Sequence, residues 1–360
     1  MFPGVRAKNN LLLVGALAAA SLTLTADQGD PSEADVPDIA LPQGMHASVY
    51  EWRDLAELDA QQSVIRLREM KRRGYDEIFI DVSRYMDLIE MPEPRRRTEL
   101  THYRDQLSRY IGRVRAVGFS VQLLAGFPSL AHPDVSYLAP SILSLAGELN
   151  AGATAPGPVV TGVQFDVEPY QLPEYGRSPE TVVRWYLEFV RTVIEARGDR
   201  ATGDHATLEV GFAVPVWFAS SSPPLSWDGD DRHPLGHLMA YLGSHESTYL
   251  SVMAYRNELS GDDGILAKVD EFLGEVDPAS GRVKLTVAQE VGNVEPSKIT
   301  HYGLGNARLS KNLVGIYEAF GGRRDFRGVA VNDFDGLESL DDQPDCVKTS
   351  PGGDLSRQVC

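Results

Sequence analysis

The run VVTGVQFDVE, residues 159–168, decides how this 360-residue chain is read. It opens on β-branched residues, which favour a pleated strand, and closes on two carboxylates, Asp166 and Glu168. Seven runs of the same character flank it: HASVYEW (46–52), DEIFIDV (76–82), SVQLLAG (120–126), LEVGFAVPVW (208–217), TYLSVMAY (248–255), VKLTVAQE (283–290) and FRGVAVND (326–333). Between them lie longer segments whose apolar residues recur at helical spacing. Leu107, Tyr110, Ile111, Val114 and Val117 make one stripe, and Val182, Tyr186, Phe189, Val190 and Val193 a second. Ile265, Val269, Phe272 and Val276 make a third, and Leu309, Leu313, Ile316 and Phe320 a fourth. Eight strand–helix alternations predict an α/β fold, a single-domain (β/α)8 TIM barrel over 44–340, whose parallel strands need long crossovers and are buried on both faces. A doubly wound open sheet is the alternative. It lacks the Gly-x-Gly-x-x-Gly turn after the first strand that a dinucleotide fold wants. The eighth helix has only LESL (337–340) to offer.

Charge and composition narrow the partners. Lys and Arg number 34 against 51 Asp and Glu, a net charge of −17, which opposes nucleic acid because phosphate contacts need a basic surface. At 42% hydrophobic and 24% charged residues the chain is globular in composition. Arg6 and Lys8 precede the apolar run LLLVGALAAASLTL, which is short for a membrane span and has small residues near its end, so 1–26 reads as a signal peptide. A secreted or periplasmic monomer with no membrane span is expected once the leader is removed. Residues 27–43, acidic and Pro-bearing without periodicity, read as a linker. The two cysteines, Cys346 and Cys360, fall in the tail 341–360, where an exported protein can pair them.

In such barrels the active site is built at the carboxyl ends of the strands. Those ends carry Trp52, Asp81, Gly126, Asp166 with Glu168, Trp217, Tyr255 with Arg256, Gln289 with Glu290, and Asn332 with Asp333. Asp166 and Glu168 stand two apart, so an extended strand turns both to one face, and each raises the pKa of whichever holds a proton. A carboxylic acid kept protonated near neutral pH is what protonates a glycosidic leaving oxygen. The blander reading has the pair capping loop amides at the mouth. For Glu290 it is an ion pair with Arg256, which would also be a local cation at an acidic mouth. Trp52, Trp217, Tyr170 and Tyr175 are candidate floors for sugar rings, whose C–H faces suit aromatic planes, while Trp185 reads as helix packing. Asp81, Arg256, Gln289 and Asn332 complete the expected substrate-binding set.

The chain here resembles family 18 glycoside hydrolases, the chitinase-like barrels. Their fourth strand ends in Asp-Gly-x-Asp-x-Asp-x-Glu, and this chain has Thr161-Gly162-Val163-Gln164-Phe165-Asp166-Val167-Glu168. Gly and the final Asp-x-Glu match, whereas Thr161 and Gln164 replace the first two Asp. Their sixth strand ends in Met-x-Tyr-Asp, against Met253-Ala254-Tyr255-Arg256. The family's Trp on strand eight has no counterpart in Val329-Ala330-Val331-Asn332. The resemblance implies that Glu168 is the general acid, with Asp166 and Tyr255 orienting a 2-acetamido group that attacks the anomeric carbon. The chain is also similar to the clan of retaining barrel glycosidases, which place an acid/base Glu at the end of strand four, often before Pro, and a nucleophile Glu at the end of strand seven. Glu168-Pro169 and Glu290 stand there, with Val167 where that clan usually has Asn. Retention would then put the two carboxyl groups about 5–5.5 Å apart, and inversion about 6.5–9.5 Å. The contrasting expectation is a lectin-like barrel that binds carbohydrate without cleaving it.

Other motifs carry little. Asp228-Gly229-Asp230-Asp231 and Asp333-Phe334-Asp335-Gly336 lack the distal Glu of a calcium loop and read as solvated turns. Neither a His-Glu-x-x-His pattern nor a Gly-x-Ser-x-Gly elbow occurs, and no complete motif implies a metal or cofactor.

Overall fold

The computed structural model describes residues 46–58, 60–152, 158–198, 208–219, 224–274 and 282–340. The leader, the linker, the Cys346–Cys360 pair and Val276 lie outside the described residues. The eight expected runs form β1 (His46–Glu51), β2 (Glu77–Asp81), β3 (Ser120–Ala125), β4 (Gly162–Phe165), β5 (Glu209–Pro215), β6 (Thr248–Met253), β7 (Lys284–Glu290) and β8 (Phe326–Asn332). They pair in sequence order, every ladder parallel, and β8 closes on β1 with His46 opposite Gly328 and Val49 opposite Val331. The open-sheet alternative is thereby excluded.

Nine α-helices lie among the described residues: α1 (Ala60–Arg72), α2 (Ser83–Ile89), α3 (Arg95–Ala116), α4 (Pro140–Ala151), α5 (Pro179–Arg197), α6 (Pro234–Gly243), α7 (Ile265–Gly274), α8 (Asn306–Phe320) and α9 (Phe334–Ser339). The predicted stripes bury their residues: Val182, Tyr186, Phe189, Val190 and Val193 on α5, and Leu309, Leu313, Ile316 and Phe320 on α8. Pro179 starts α5, where its missing N–H costs nothing, and Gly198 ends it at φ 73°. The weak eighth helix exists as α9. Asp333 caps it through Gly336 N at 2.7 Å, so residues 333–336 are a helix start and not the solvated turn expected. Asp228 and Gly229, both at positive φ, turn a hairpin between the short strands Leu225–Trp227 and Asp230–Arg232, as an Asp-Gly pair favours. The long polar connector after β5 therefore contains structure of its own.

Alternation along the strands sorts side chains into two layers. Tyr50, Phe79, Leu124, Tyr249, Ala288 and Ala330 fill the barrel, while Val49, Ile78, Leu123, Val163, Phe212, Leu250, Val287 and Val331 belong to the core beneath the helices. Gly211 is needed where the Tyr249 ring crosses β5, because a Cβ there would lie 2.0 Å from that ring. Gly211→Ala is expected to destabilise the fold by about 1–3 kcal/mol or more through overpacking, measured by denaturant unfolding.

At the amino end of the barrel a buried polar network replaces apolar filling. A register shift between Phe326 and Gly328 lets Phe326 pack outward and Arg327 turn inward. Its guanidinium donates to Glu77 (2.7 and 2.8 Å) and to Glu209 (2.7 Å). Ser48 donates to Glu77, and Gln122 to both carboxylates. Burial would raise the Glu77 pKa, but the Arg327 charge and hydrogen bonds prevail and hold it at about 2.

Candidate active site

Strand β4 ends at Phe165, so Asp166 and Glu168 stand just beyond the ladder, three residues short of where the sequence pattern carries the strand. Alternation nonetheless continues. Val163, Phe165 and Val167 pack into the helix layer, which leaves Gln164, Asp166 and Glu168 on the barrel side. Gly126, at the end of β3, lets the backbones touch: a Cβ on it would lie 1.8 Å from Asp166 O.

Asp166 is half-buried, and its Oδ1 is shut off from solvent with no hydrogen-bond partner among the described residues. Burial, then the charges of Glu168, Asp81 and Glu290, push its pKa up to about 8. Glu168 accepts at Oε2 from the Tyr170 hydroxyl and from Gln171 Nε2 (2.6 Å). Asp81 accepts from Ser83 N at 2.9 Å and Ser83 Oγ at 2.6 Å.

Glu290 turns into the mouth from β7 and is buried. Its Oε1 accepts from Val291 N (2.9 Å) and Gly292 N (2.6 Å), and its Oε2 from Asn332 Nδ2 at 2.7 Å. Burial raises its pKa, those donors pull it back, the Asp333 charge adds to the rise, and the result is about 7. The Asn332 Oδ1 in turn accepts from Trp52 Nε1 at 2.6 Å, and the Trp52 ring stacks near Tyr50, with centroids 6.0 Å apart and 11° between planes. Tyr255 is half-buried against the barrel filling, and burial together with the charges of Glu290, Asp166 and Glu168 holds its phenol well above the usual range. Trp217, 38% exposed, stands in the turn after β5 and packs edge-on against Tyr170 at 4.9 Å.

Of the ten candidate catalytic and substrate-binding residues, Asp81, Asp166, Glu168, Tyr255, Glu290, Asn332 and Trp52 gather at one mouth, with Trp217 on its rim through Tyr170. Two do not join them. Gln289 neighbours Glu290 and so faces the opposite way, buried, with Nε2 donating to Ala254 O and Ala288 O. Arg256 pairs with Asp263 at 2.8 Å and donates to Tyr255 O, so the blander reading of Glu290, an ion pair with Arg256, gives way to a loop-internal pair. Tyr170, Gln171 and the amides of Val291 and Gly292 enter the site as holders of carboxylates. For the amides no side-chain pattern gave a signal. Among the described residues no group of three or more His, Cys, Asp or Glu is arranged to hold a metal, and no helix is long and apolar enough to cross a membrane.

No protein-family model matches the chain, and no curated protein matches it. Solved structures are similar to it. A GH5_18 protein from Bifidobacterium longum subsp. longum superposes with a TM-score of 0.50 at 12% identity, over 81% of this chain and 70% of its own. A GH18 chitinase from Cycas revoluta, in complex with (GlcNAc)4, gives 0.49 at 12% identity over 82% and 97%. The catalytic domain of a beta-amylase from Paenibacillus polymyxa gives 0.49 at 10% over 85% and 96%. At 12% identity the likeness to the GH5_18 protein is one of fold, and the fold is the closed (β/α)8 barrel that the eight runs predict.

Proposed function

We propose that this chain is a glycoside hydrolase acting on a polysaccharide or oligosaccharide in the barrel mouth, with Glu168 as general acid and Glu290 as nucleophile. The observation that carries this reading is the gathering of Glu168, just beyond β4, and Glu290 from β7 around a half-buried Asp166 whose pKa is pushed up to about 8. Carboxyls at one strand-end mouth whose pKa values are pushed up by burial and neighbouring charge, as those of Asp166 and Glu290 are, mark a functional-site candidate. Asn332 and two backbone amides hold Glu290 in place, and the Tyr170 hydroxyl and Gln171 hold Glu168.

In the first step a Glu290 oxygen attacks the anomeric carbon while Glu168 gives its proton to the departing glycosidic oxygen. In the second, water attacks that carbon, Glu168 takes the proton, and the Glu290–sugar bond breaks. Trp52 offers an aromatic face to a sugar ring, Trp217 a second at the rim, and Asp81 and Asn332 supply polar groups at the same strand ends. Tyr255 sits where it can steady charge near Glu290. A substrate bearing N-acetylhexosamine would bring the substrate-assisted alternative, in which Asp166 and Tyr255 orient the acetamido group. The basic and apolar start of the chain supports export to the periplasm or beyond it.

The test is reducing-end release by the wild type and Glu168→Gln, side by side, on chitin oligomers, peptidoglycan, poly-N-acetylglucosamine and neutral glucans. Release should fall by about 10²–10⁴ in the variant. No release from any of them, with both folded proteins binding the same polymer, would replace this reading with the lectin-like one. The pH dependence has a definite sign. Glu290 must be ionised to attack, so kcat/KM should rise through about pH 7. Above about pH 8 the ionisation of Asp166 adds a negative charge among Glu168, Asp81 and Glu290, and a second change in kcat/KM, absent from Asp166→Asn, is expected there.

A further inference from the structure

Behind Glu290, away from the mouth, three polar side chains from three elements meet in a layer that is otherwise apolar. Asn257 follows β6, His301 lies in the loop between β7 and α8, and Asn312 is on the inner face of α8. They are 8%, 0% and 1% exposed. Burying such groups is costly unless each finds its partners, and here they do. Asn312 Nδ2 has two protons, one donated to Asn257 O at 3.0 Å and the other to His301 Nε2 at 2.9 Å. An amide nitrogen can only donate, so His301 Nε2 accepts and the imidazole proton is fixed on Nδ1. Nδ1 then donates to Glu290 O at 3.2 Å, beside the His301 backbone N–H, which reaches the same carbonyl at 2.9 Å. Asn257 Nδ2 donates to Ser297 O and Thr300 O, and Thr300 Oγ1 to Gly292 O at 2.6 Å. The chain of contacts therefore ends on the carbonyls of Glu290 and Gly292: the first shares its peptide group with the Val291 N–H that donates to the carboxylate, and the second belongs to the residue whose N–H is the other donor.

We propose that His301 and Asn312 are positioning residues for Glu290, fixing the backbone from which its carboxylate and the Gly292 amide are presented to the mouth. The inference rests on the reading of Glu290 as nucleophile. Burial lowers the His301 pKa to about 4, which keeps the ring neutral, in the form the Asn312 contact requires, throughout the working pH range. The groups facing the Glu290 carboxylate itself are Asn332, Asp333, Asp166 and Tyr255, and none belongs to the Asn257–His301–Asn312 cluster. A change in Glu290 on altering that cluster thus travels through geometry and not through a lost charge.

Asn312→Leu is expected to lower kcat by up to about 100-fold with KM little changed, since a misplacement of about 1 Å costs that much. It should also displace the titration of Glu290, followed by NMR of carboxyl-labelled glutamate and assigned by the signal missing in Glu290→Gln. Asn312→Gln keeps both donors and is expected to restore most of kcat. A variant that loses only thermal stability, with kcat and the Glu290 titration kept, would make the cluster a plain structural anchor and overturn the proposal. Were Asn312→Leu unfolded, His301→Asn would serve, because it keeps a donor near Nδ1 and gives up the bond to Asn312; a Glu290 titration unchanged there overturns the proposal equally. An inactive wild type would sink the hydrolase reading alone, because the titration reports positioning without turnover.

Discussion

Glu290→Gln is expected to lower kcat on the productive polymer by about 10²–10⁴, as much as Glu168→Gln does. The amide keeps the shape and can still meet Asn332, but it cannot form the glycosyl–enzyme bond on which double displacement depends. Asp166→Asn should then be the milder change. The reverse ranking, a small loss at Glu290→Gln beside a collapse at Asp166→Asn, would mean that a substrate acetamido group supplies the nucleophile. The anomer first released, read by NMR before mutarotation, gives a further check: both routes retain configuration, so an inverted product would assign Glu290 to activating water.

The largest stability effect is expected at the other end of the barrel. Arg327→Met leaves Glu77 buried without its guanidinium and should cost about 3–5 kcal/mol at pH 7, measured by denaturant unfolding. The pH dependence follows from the depressed pKa of Glu77. A carboxyl held at about 2 when folded and near the ordinary value of 4.5 when unfolded contributes stability that is full above the unfolded value and lost as pH falls toward 2. The gap between wild type and Arg327→Met should therefore narrow over that interval. Adding Glu77→Gln to Arg327→Met should recover part of the loss by removing the stranded charge.

Strand count, strand order and the barrel were legible because each strand is a short β-branched or aromatic run and each helix carries its own apolar stripe. Within the mouth, the Asp166 and Glu168 pair and Glu290 were found by position alone, since the rule that barrel chemistry sits at strand ends needs no partner to be known. Gln289 was misjudged although the signal was present: residues 289 and 290 cannot both face inward on one strand. The ion pair of Arg256 is not legible in the sequence for another reason. Its partner Asp263 lies on the same loop, and nothing in the spacing says that the loop folds back to meet it. The Glu77–Glu209–Arg327 network and the Asn257–His301–Asn312 cluster are joined across large sequence separations and depend on a bulge and a side-chain tautomer, which a linear pattern does not encode.

Closure of the ring has a consequence for how the protein is made. The last strand pairs with the first, and α9 fastens to the β1–α1 unit as Arg66 bridges Asp335 and Glu338 and Arg53 joins Glu51 to Asp335. During synthesis β1 therefore waits for a partner that is nearly 300 residues away. Until β8 emerges, the edges of β1 and β7 stay open as templates for foreign strands, and late, long-range closure is the slow class of folding step. A ribosome stalled shortly before residue 326 would hold seven-eighths of a barrel with two adhesive borders, and it is there that a chaperone would find the most to do.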